Sequence, residues 1–157
     1  MPNRRIAIPH HAVVLVADGR KALFLRNEGD EKFLNLSTES ALADDNPPTR
    51  EQDADRPGRT FHRAATHRRS AVEATDWHEI AKRRFAHAVS AALERSLEAR
   101  EAKAVVVVAP PRFIADLRHG LSDEARARII VEIAKDLTGH SIADIERHLE
   151  AERMETP

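Results

Sequence analysis

The chain has 157 residues, of which 41 % are apolar, enough for one domain with a sizeable core. A formal net charge of -1 excludes a globally basic protein, so only a local patch would attract polyanions. The absence of cysteine excludes disulfides and thiolate metal sites, and no apolar run is long enough for a signal core or a membrane span, so we expect a soluble cytoplasmic protein.

The first predicted element is a β-hairpin. Residues 12–17 form an apolar, largely β-branched run, Asp18-Gly19 is a favoured type I′ turn, and residues 22–26 are the return strand. A third strand is predicted at about residues 32–38, where apolar side chains partly alternate. We expect it at a sheet edge, and this edge or the outer face of the long helix described below would be the contact surface of any homo-oligomer.

A long charged loop is predicted at residues 41–74, within a single domain that spans residues 1–157. No hydrophobic period holds there, and Pro47-Pro48 and Pro57-Gly58 interrupt regular structure. A connection of this length in a compact domain is usually functional or disordered.

A long helix follows for roughly 24 residues, with Asp76 and Glu79 as its capping box. The predicted apolar stripe begins at Trp77 and Ile80 and continues through Phe85 to Leu97. Residues 104–109 are apolar at every position, which is typical of a central parallel strand covered on both faces. Two prolines and a short helix ending at Gly120 come next.

The last third of the chain predicts a brief helical turn at 123–127, a strand at about 128–134 and a final helix. Ser141 and Asp144 form the capping box of that helix, which should end near Arg153. The order β-β-β-loop-α-β-α-β-α predicts an α/β fold with a mixed five-stranded sheet. Three antiparallel meander strands join two parallel strands, with helices on both faces, in a ribonuclease-H-like topology.

The candidate binding site is the basic stretch "RPGRTFHRAATHRR", which contains no acid. The planar guanidinium of arginine suits phosphate, and a glycine lets the backbone approach a ligand closely. The candidate residues for RNA or phosphate contact are Arg56, Gly58, Arg59, His62, Arg63, His67, Arg68 and Arg69. Since Phe61 is its only aromatic residue, we expect phosphate contacts rather than base stacking. The alternative is a solvated loop whose arginines pair with the preceding acidic run.

No catalytic residue, metal site or cofactor is predicted. Asp18, with Asp116 and Asp136, is a candidate for a two-metal site, but an aspartate in an Asp-Gly turn is the favoured interpretation. The nine histidines are scattered without metal-binding spacing. Asp136 and Thr138 are predicted to cap the turn before the last helix.

The motifs "VVLVADGRKALFL", "DRPGRTFHRAATHRR", "FAHAVSAALE", "VVVVAPPRFIADLR" and "EIAKDLT" occur in an order that resembles the bacterial host attachment family, the proteins required for attachment to host cells. The resemblance spans about residues 12–150. That family in turn resembles the middle domain of archaeal and eukaryotic peptide release factors, which implies the same mixed-sheet fold and an RNA or ribosomal context.

In those release factors, the loop before the long helix carries the Gly-Gly-Gln motif that acts in peptidyl-tRNA hydrolysis. The chain has no Gly-Gly-Gln, and the basic stretch at the corresponding place contains a single glycine, Gly58. The resemblance therefore implies a non-enzymatic cytoplasmic binding module with RNA or the ribosome as partner. Two alternatives remain open: an interaction protein that affects attachment indirectly, and a hydrolase with His62 or His67 as general base.

Overall fold

The computed structural model describes residues 7–44, 59–100 and 102–155, and the side chains of residues 7–44, 77–99 and 102–152. Its strands are β1 (Val13–Ala17), β2 (Lys21–Asn27), β3 (Leu36–Ala43), β4 (Val105–Val108) and β5 (Ile129–Ile133). Its helices are α1 (Arg59–Arg100), α2 (Pro111–Gly120), α3 (Asp123–Ala127) and α4 (Ile142–Glu155).

The five strands form one mixed sheet in the order β3-β2-β1-β4-β5. β1 and β2, like β2 and β3, pair antiparallel, whereas β4 runs parallel to both β1 and β5. The predicted fold class is confirmed: an α/β domain with three meander strands and two parallel strands. β3 is an edge strand as expected, although it lies at Leu36–Ala43 rather than at 32–38.

Two apolar layers cover the sheet. Val13, Leu15 and Ala17 of β1 point into the layer that α1 and α2 complete, whereas Val14 and Val16 point into the layer completed by α4. In β4, Val105 and Val107 point into the first layer, whereas Val106 and Val108 point into the second, and all four are buried. The two-residue period of a strand thus explains why both runs are apolar throughout.

The prediction for the start of α1 was wrong. The helix begins at Arg59 rather than near Asp76, and residues 41–43 belong to β3, so residues 41–74 are not one loop. After Gly58 the sequence has no proline or glycine until the helix ends, and arginine and alanine are good helix formers. Only the amphipathic period is missing, and a helix needs that period only where it packs. Residues 45–58 lie outside the described residues, and the extent of a single domain stays a prediction.

The predicted apolar stripe of α1 also needs correction. Phe85, Val89 and Leu97 are buried against the sheet, but Trp77 is 61 % exposed and Ile80 is 41 % exposed. Ile80 precedes Val89 by nine residues, which is two and a half helical turns, so the two lie on opposite sides of α1. The 42-residue helix is about 63 Å long, whereas its buried part from Phe85 to Leu97 spans about 18 Å.

The other predicted elements are confirmed with small shifts. α3 and β5 lie where the sequence placed them. The Asp144 backbone N–H donates to Ser141 Oγ at 3.1 Å, as the predicted cap of α4 requires. The Ala125 N–H likewise donates to Ser122 Oγ at 3.1 Å, a cap that the sequence analysis missed. Among the helices of the described residues, none is both long and apolar enough to cross a membrane.

The connection between β2 and β3 is organised by Asn27, whose side chain is fully buried. Its amide nitrogen donates to Ile8 O at 3.0 Å and to Pro9 O at 3.2 Å. Its amide oxygen accepts from the N–H groups of Gly29, at 2.9 Å, and Asn35, at 3.1 Å. One side chain therefore ties the segment before β1 to the turn after β2.

Candidate functional site

The carboxyl ends of β1 and β4 lie side by side, because the two strands are parallel neighbours. The chain leaves β1 towards β2 on one side and leaves β4 through α2 towards β5 on the other side. In open α/β sheets, connections that diverge in this way leave a crevice between the two strands, and ligands commonly bind there. We call this end of the sheet the carboxyl edge.

The turn after β1 is held by the Asp18 side chain. Asp18 Oδ1 accepts from the backbone N–H groups of Arg20, at 2.7 Å, and Lys21, at 2.8 Å, while the Asp18 N–H donates to Lys21 O at 2.8 Å. Gly19 does not have a positive φ, so the predicted type I′ turn was wrong. A carboxylate that accepts two backbone N–H groups closes this turn without left-handed backbone.

The second oxygen of Asp18 binds the segment that follows β5. Thr138 is nearly buried, and its Oγ1 lies 2.8 Å from Asp18 Oδ2 and 2.7 Å from Asp136 Oδ1. A hydroxyl has one hydrogen, so Thr138 donates to one carboxylate at a time. The predicted capping role is supported, because the Thr138 N–H donates to Asp136 Oδ1 at 3.1 Å.

The hydrogen bonds of this cluster join two segments of the described chain. The structure brings Asp18 and Asp136 to the same hydroxyl, but no hydrogen bond or ion pair joins the described Asp116 to them. No group of three or more histidine, aspartate or glutamate side chains among the described residues is arranged to hold a metal ion. The Asp18 carboxylate, through Thr138, fastens the segment after β5 to the turn after β1.

Thr138→Val should lower the free energy of unfolding by about 1.5 kcal/mol, because it keeps the shape of the side chain but removes its hydrogen bond to a charged group. Thr138→Ser retains the hydroxyl and is the matched control, which should lose clearly less. Urea unfolding measures both variants. A valine variant as stable as the wild type would show that the hydrogen bond contributes nothing.

Five exposed cations surround the carboxyl edge, and we call them the edge cations. One is on the turn after β1, one is the first residue of β2 and three are consecutive on α1: Arg20, Lys21, Lys82, Arg83 and Arg84. α1 meets the turn at Lys82, since a Cβ built on Gly19 would lie 3.0 Å from Lys82 Cγ. Within the described part of the chain, no carboxylate forms an ion pair with any of the five.

The nearby Arg112 shows the contrast. It starts α2 at the same edge and pairs with Glu79 of α1 at 2.8 Å. This pair joins the two helices where they leave the carboxyl edge. The edge cations, by comparison, present positive charge to the solvent, and such a local patch attracts anions even on a chain of net charge -1.

The predicted site residues fall into two groups. Arg56 and Gly58 lie outside the described residues. Six others lie within the first three turns of α1, where the backbone is helical and not a loop: Arg59, His62, Arg63, His67, Arg68 and Arg69. The edge cations were not predicted from the sequence, although they lie in two short basic runs, "DGRK" and "AKRRF".

The opposite end of β1 carries a pair of histidines. His11 has φ 70°, the left-handed conformation that non-glycine residues seldom adopt. Its Nδ1 accepts from Arg26 Nη2 at 2.7 Å and from Arg26 Nε at 3.1 Å, and its ring centroid lies 3.7 Å from that of His10. Desolvation, and then the charges of His10 and Arg26, lower the pKa of His11 below its ordinary 6.5.

The lowered pKa of His11 predicts a pH dependence of folding. Below about pH 6.5 the unfolded chain binds a proton at this position more readily than the folded protein, so stability falls as the pH falls. Between about pH 7.5 and 5.5 we expect the wild type to lose more stability than His11→Asn, which tolerates the same backbone conformation but does not titrate. Parallel pH profiles of the two proteins in urea unfolding would contradict this.

Comparison with known proteins identifies the family of the chain. The family model described as "Protein required for attachment to host cells" matches residues 13–149, from the first residue of β1 into α4. No curated protein matches the chain. The matched range contains the whole sheet, the carboxyl edge and the edge cations.

Proposed function

The chain belongs to the family of proteins required for attachment to host cells, and we propose that it acts there as a non-enzymatic cytoplasmic binding module that contacts the phosphates of RNA. The observation that carries this proposal is the group of five exposed edge cations at the carboxyl edge of the sheet. Cations that have no carboxylate partner among the described residues are available to a polyanion.

The fold holds part of this charge in place. Asp18 fixes the backbone of Arg20 and Lys21 through two hydrogen bonds, and the stem of Lys82 lies against the same turn. A turn held in one conformation loses less conformational entropy when its side chains bind a ligand. The patch is therefore a partly preorganised surface rather than a scatter of mobile charges.

The basic first turns of α1 extend the proposed surface. Arg59, Arg63 and Ser70 precede Trp77 by 18, 14 and 7 residues, which are near multiples of the 3.6-residue helical turn. Their positions thus recur on the side of α1 that carries the exposed Trp77. We propose that Arg59, Arg63 and the neighbouring basic residues, including Arg56 and Gly58, continue the phosphate contacts of the edge cations.

The hydrolase alternative needs a single general base, His62 or His67, and both residues lie in the first three turns of α1. We prefer phosphate binding because the described edge cations carry it. The order of motifs also leads us to propose a relationship to the middle domain of release factors, with the ribosome as one source of the RNA.

Fluorescence anisotropy with a labelled single-stranded RNA tests the proposal. We expect binding at low salt, with an affinity that falls steeply as salt is added, because phosphate contacts release counterions. Co-sedimentation with ribosomes at the same salt concentrations asks whether the RNA is ribosomal. Absence of RNA binding at low salt would overturn the proposal and favour an interaction protein that affects attachment indirectly.

A further inference from the structure

Trp77 is the only tryptophan of the chain, and the residue is 61 % exposed. Ile80 follows on the same side of α1 and is 41 % exposed. Arg84 lies seven residues after Trp77, two turns or about 10.5 Å along the same side. The indole ring of Trp77, the aliphatic side chain of Ile80 and the guanidinium group of Arg84 thus form one exposed stripe on the helix.

The charge around this stripe limits what can cover it. Lys82, Arg83 and Arg84 flank Trp77 and Ile80 within two turns, and all three are exposed. A second copy of the chain that packed its own α1 on this stripe in parallel would bring the same three cations of the two copies together, which is repulsive. An anionic partner with a flat apolar surface is attracted to the cations, and its apolar surface can cover the stripe.

Nucleic acid has this combination of chemistry. Its phosphates are anionic, and its bases are flat π-systems that stack on exposed aromatic side chains with little regard to sequence. A base can stack on a side chain only when it is not already stacked and paired within a duplex. Trp77, with Arg84 two turns further along the same side of α1, therefore fits an unpaired base whose neighbouring phosphate contacts the guanidinium group.

We propose that Trp77 is a stacking platform for an unpaired base, so that the ligand of the edge cations is a single-stranded nucleic acid. This inference rests on the proposed function, because it assumes that the edge cations contact phosphates. Trp77 lies outside the basic stretch, and stacking on it would favour single strands over duplexes.

The single tryptophan makes the experiment specific, because all tryptophan fluorescence comes from the proposed site. The protein is titrated with a short oligouridine, with the same oligonucleotide annealed to its complement, and with inorganic polyphosphate. We expect all three to bind at low salt, since all are polyanions. Only the single strand should quench the fluorescence of Trp77, and it should bind more tightly than the duplex.

A variant separates stacking from charge. Trp77→Leu should weaken binding of a labelled oligouridine about tenfold, measured by anisotropy, and should leave the affinity for polyphosphate unchanged. The exposure of Trp77 predicts that the variant folds, which circular dichroism checks. If oligouridine and polyphosphate bind but the fluorescence and the variant's affinity do not change, stacking is refuted and phosphate binding stands. If neither polyanion binds, the proposed function itself fails.

Discussion

Asn27→Ala should lower the free energy of unfolding by about 3 kcal/mol. The wild-type amide makes four hydrogen bonds within 3.2 Å, to Ile8, Pro9, Gly29 and Asn35. Alanine leaves those backbone groups without their partner, and a buried unsatisfied group costs about 1–3 kcal/mol. Ile8 O is the most affected, because Ile8 is fully buried and water cannot replace the amide.

Asn35→Ala is the matched control for this prediction. Asn35 is exposed and takes part in the cluster through its backbone N–H, which alanine retains. Its stability should stay within about 0.5 kcal/mol of the wild type, as is usual for surface substitutions. Urea unfolding with unchanged m-values provides the comparison. A loss below about 1 kcal/mol for Asn27→Ala would show that the segment before β1 is held by other contacts.

The second large effect concerns binding. Arg83→Gln combined with Arg84→Gln should weaken the affinity for single-stranded RNA roughly 30-fold at low salt, about 1 kcal/mol for each lost phosphate contact. Glutamine has nearly the helix propensity of arginine, and both side chains are exposed, so α1 should remain intact. The loss should be similar for different RNA sequences, because phosphate contacts do not distinguish bases.

A double variant at the other end of the domain controls for net charge. Arg95→Gln combined with Lys103→Gln also removes two exposed cations, one later on α1 and one just before β4. These residues lie towards the amino end of the parallel strands, away from the carboxyl edge. The control should bind RNA within about twofold of the wild type if position matters more than overall charge. Equal losses in the two double variants would indicate nonspecific attraction.

The sheet was predictable because its signals are local. The runs of β1 and β4 are apolar on both faces, and strands that are covered on both sides leave this pattern in any sequence. The start of α1 was not predictable in the same way. Residues 59–75 have helix-forming composition without an amphipathic stripe, and the Pro-Gly pair before them suggested a loop.

In the turn after β1 and in the stripe on α1, tertiary contacts and helix orientation override what local sequence predicts. Asp18-Gly19 favours a type I′ turn in isolation, but hydrogen bonds from Arg20 and Lys21 to the Asp18 carboxylate select another geometry. Trp77 and Ile80 were predicted to begin the apolar stripe of α1, but both are exposed. Their angular position relative to Val89 places them on the outer side of α1.

The edge cations could not be found from the sequence as one site. Gly19 and Lys82 are neighbours in the fold but are separated by more than sixty residues in the chain. The topology brings them together, since α1 returns along the sheet and begins its contact at the end of β1. The basic stretch at residues 56–69 is visible in the sequence because it is contiguous, and its role remains a proposal.

The salt dependence of RNA binding tests phosphate contact at the edge cations most directly. The observed association constant of the wild type for a single-stranded RNA should fall linearly with salt on a double-logarithmic plot, with a slope of about 0.7 per phosphate contact. Arg83→Gln/Arg84→Gln should lower the magnitude of that slope by about 1.4, and Arg95→Gln/Lys103→Gln should leave it unchanged. A wild-type affinity that does not depend on salt, or the same slope in all three proteins, would contradict phosphate binding by the edge cations.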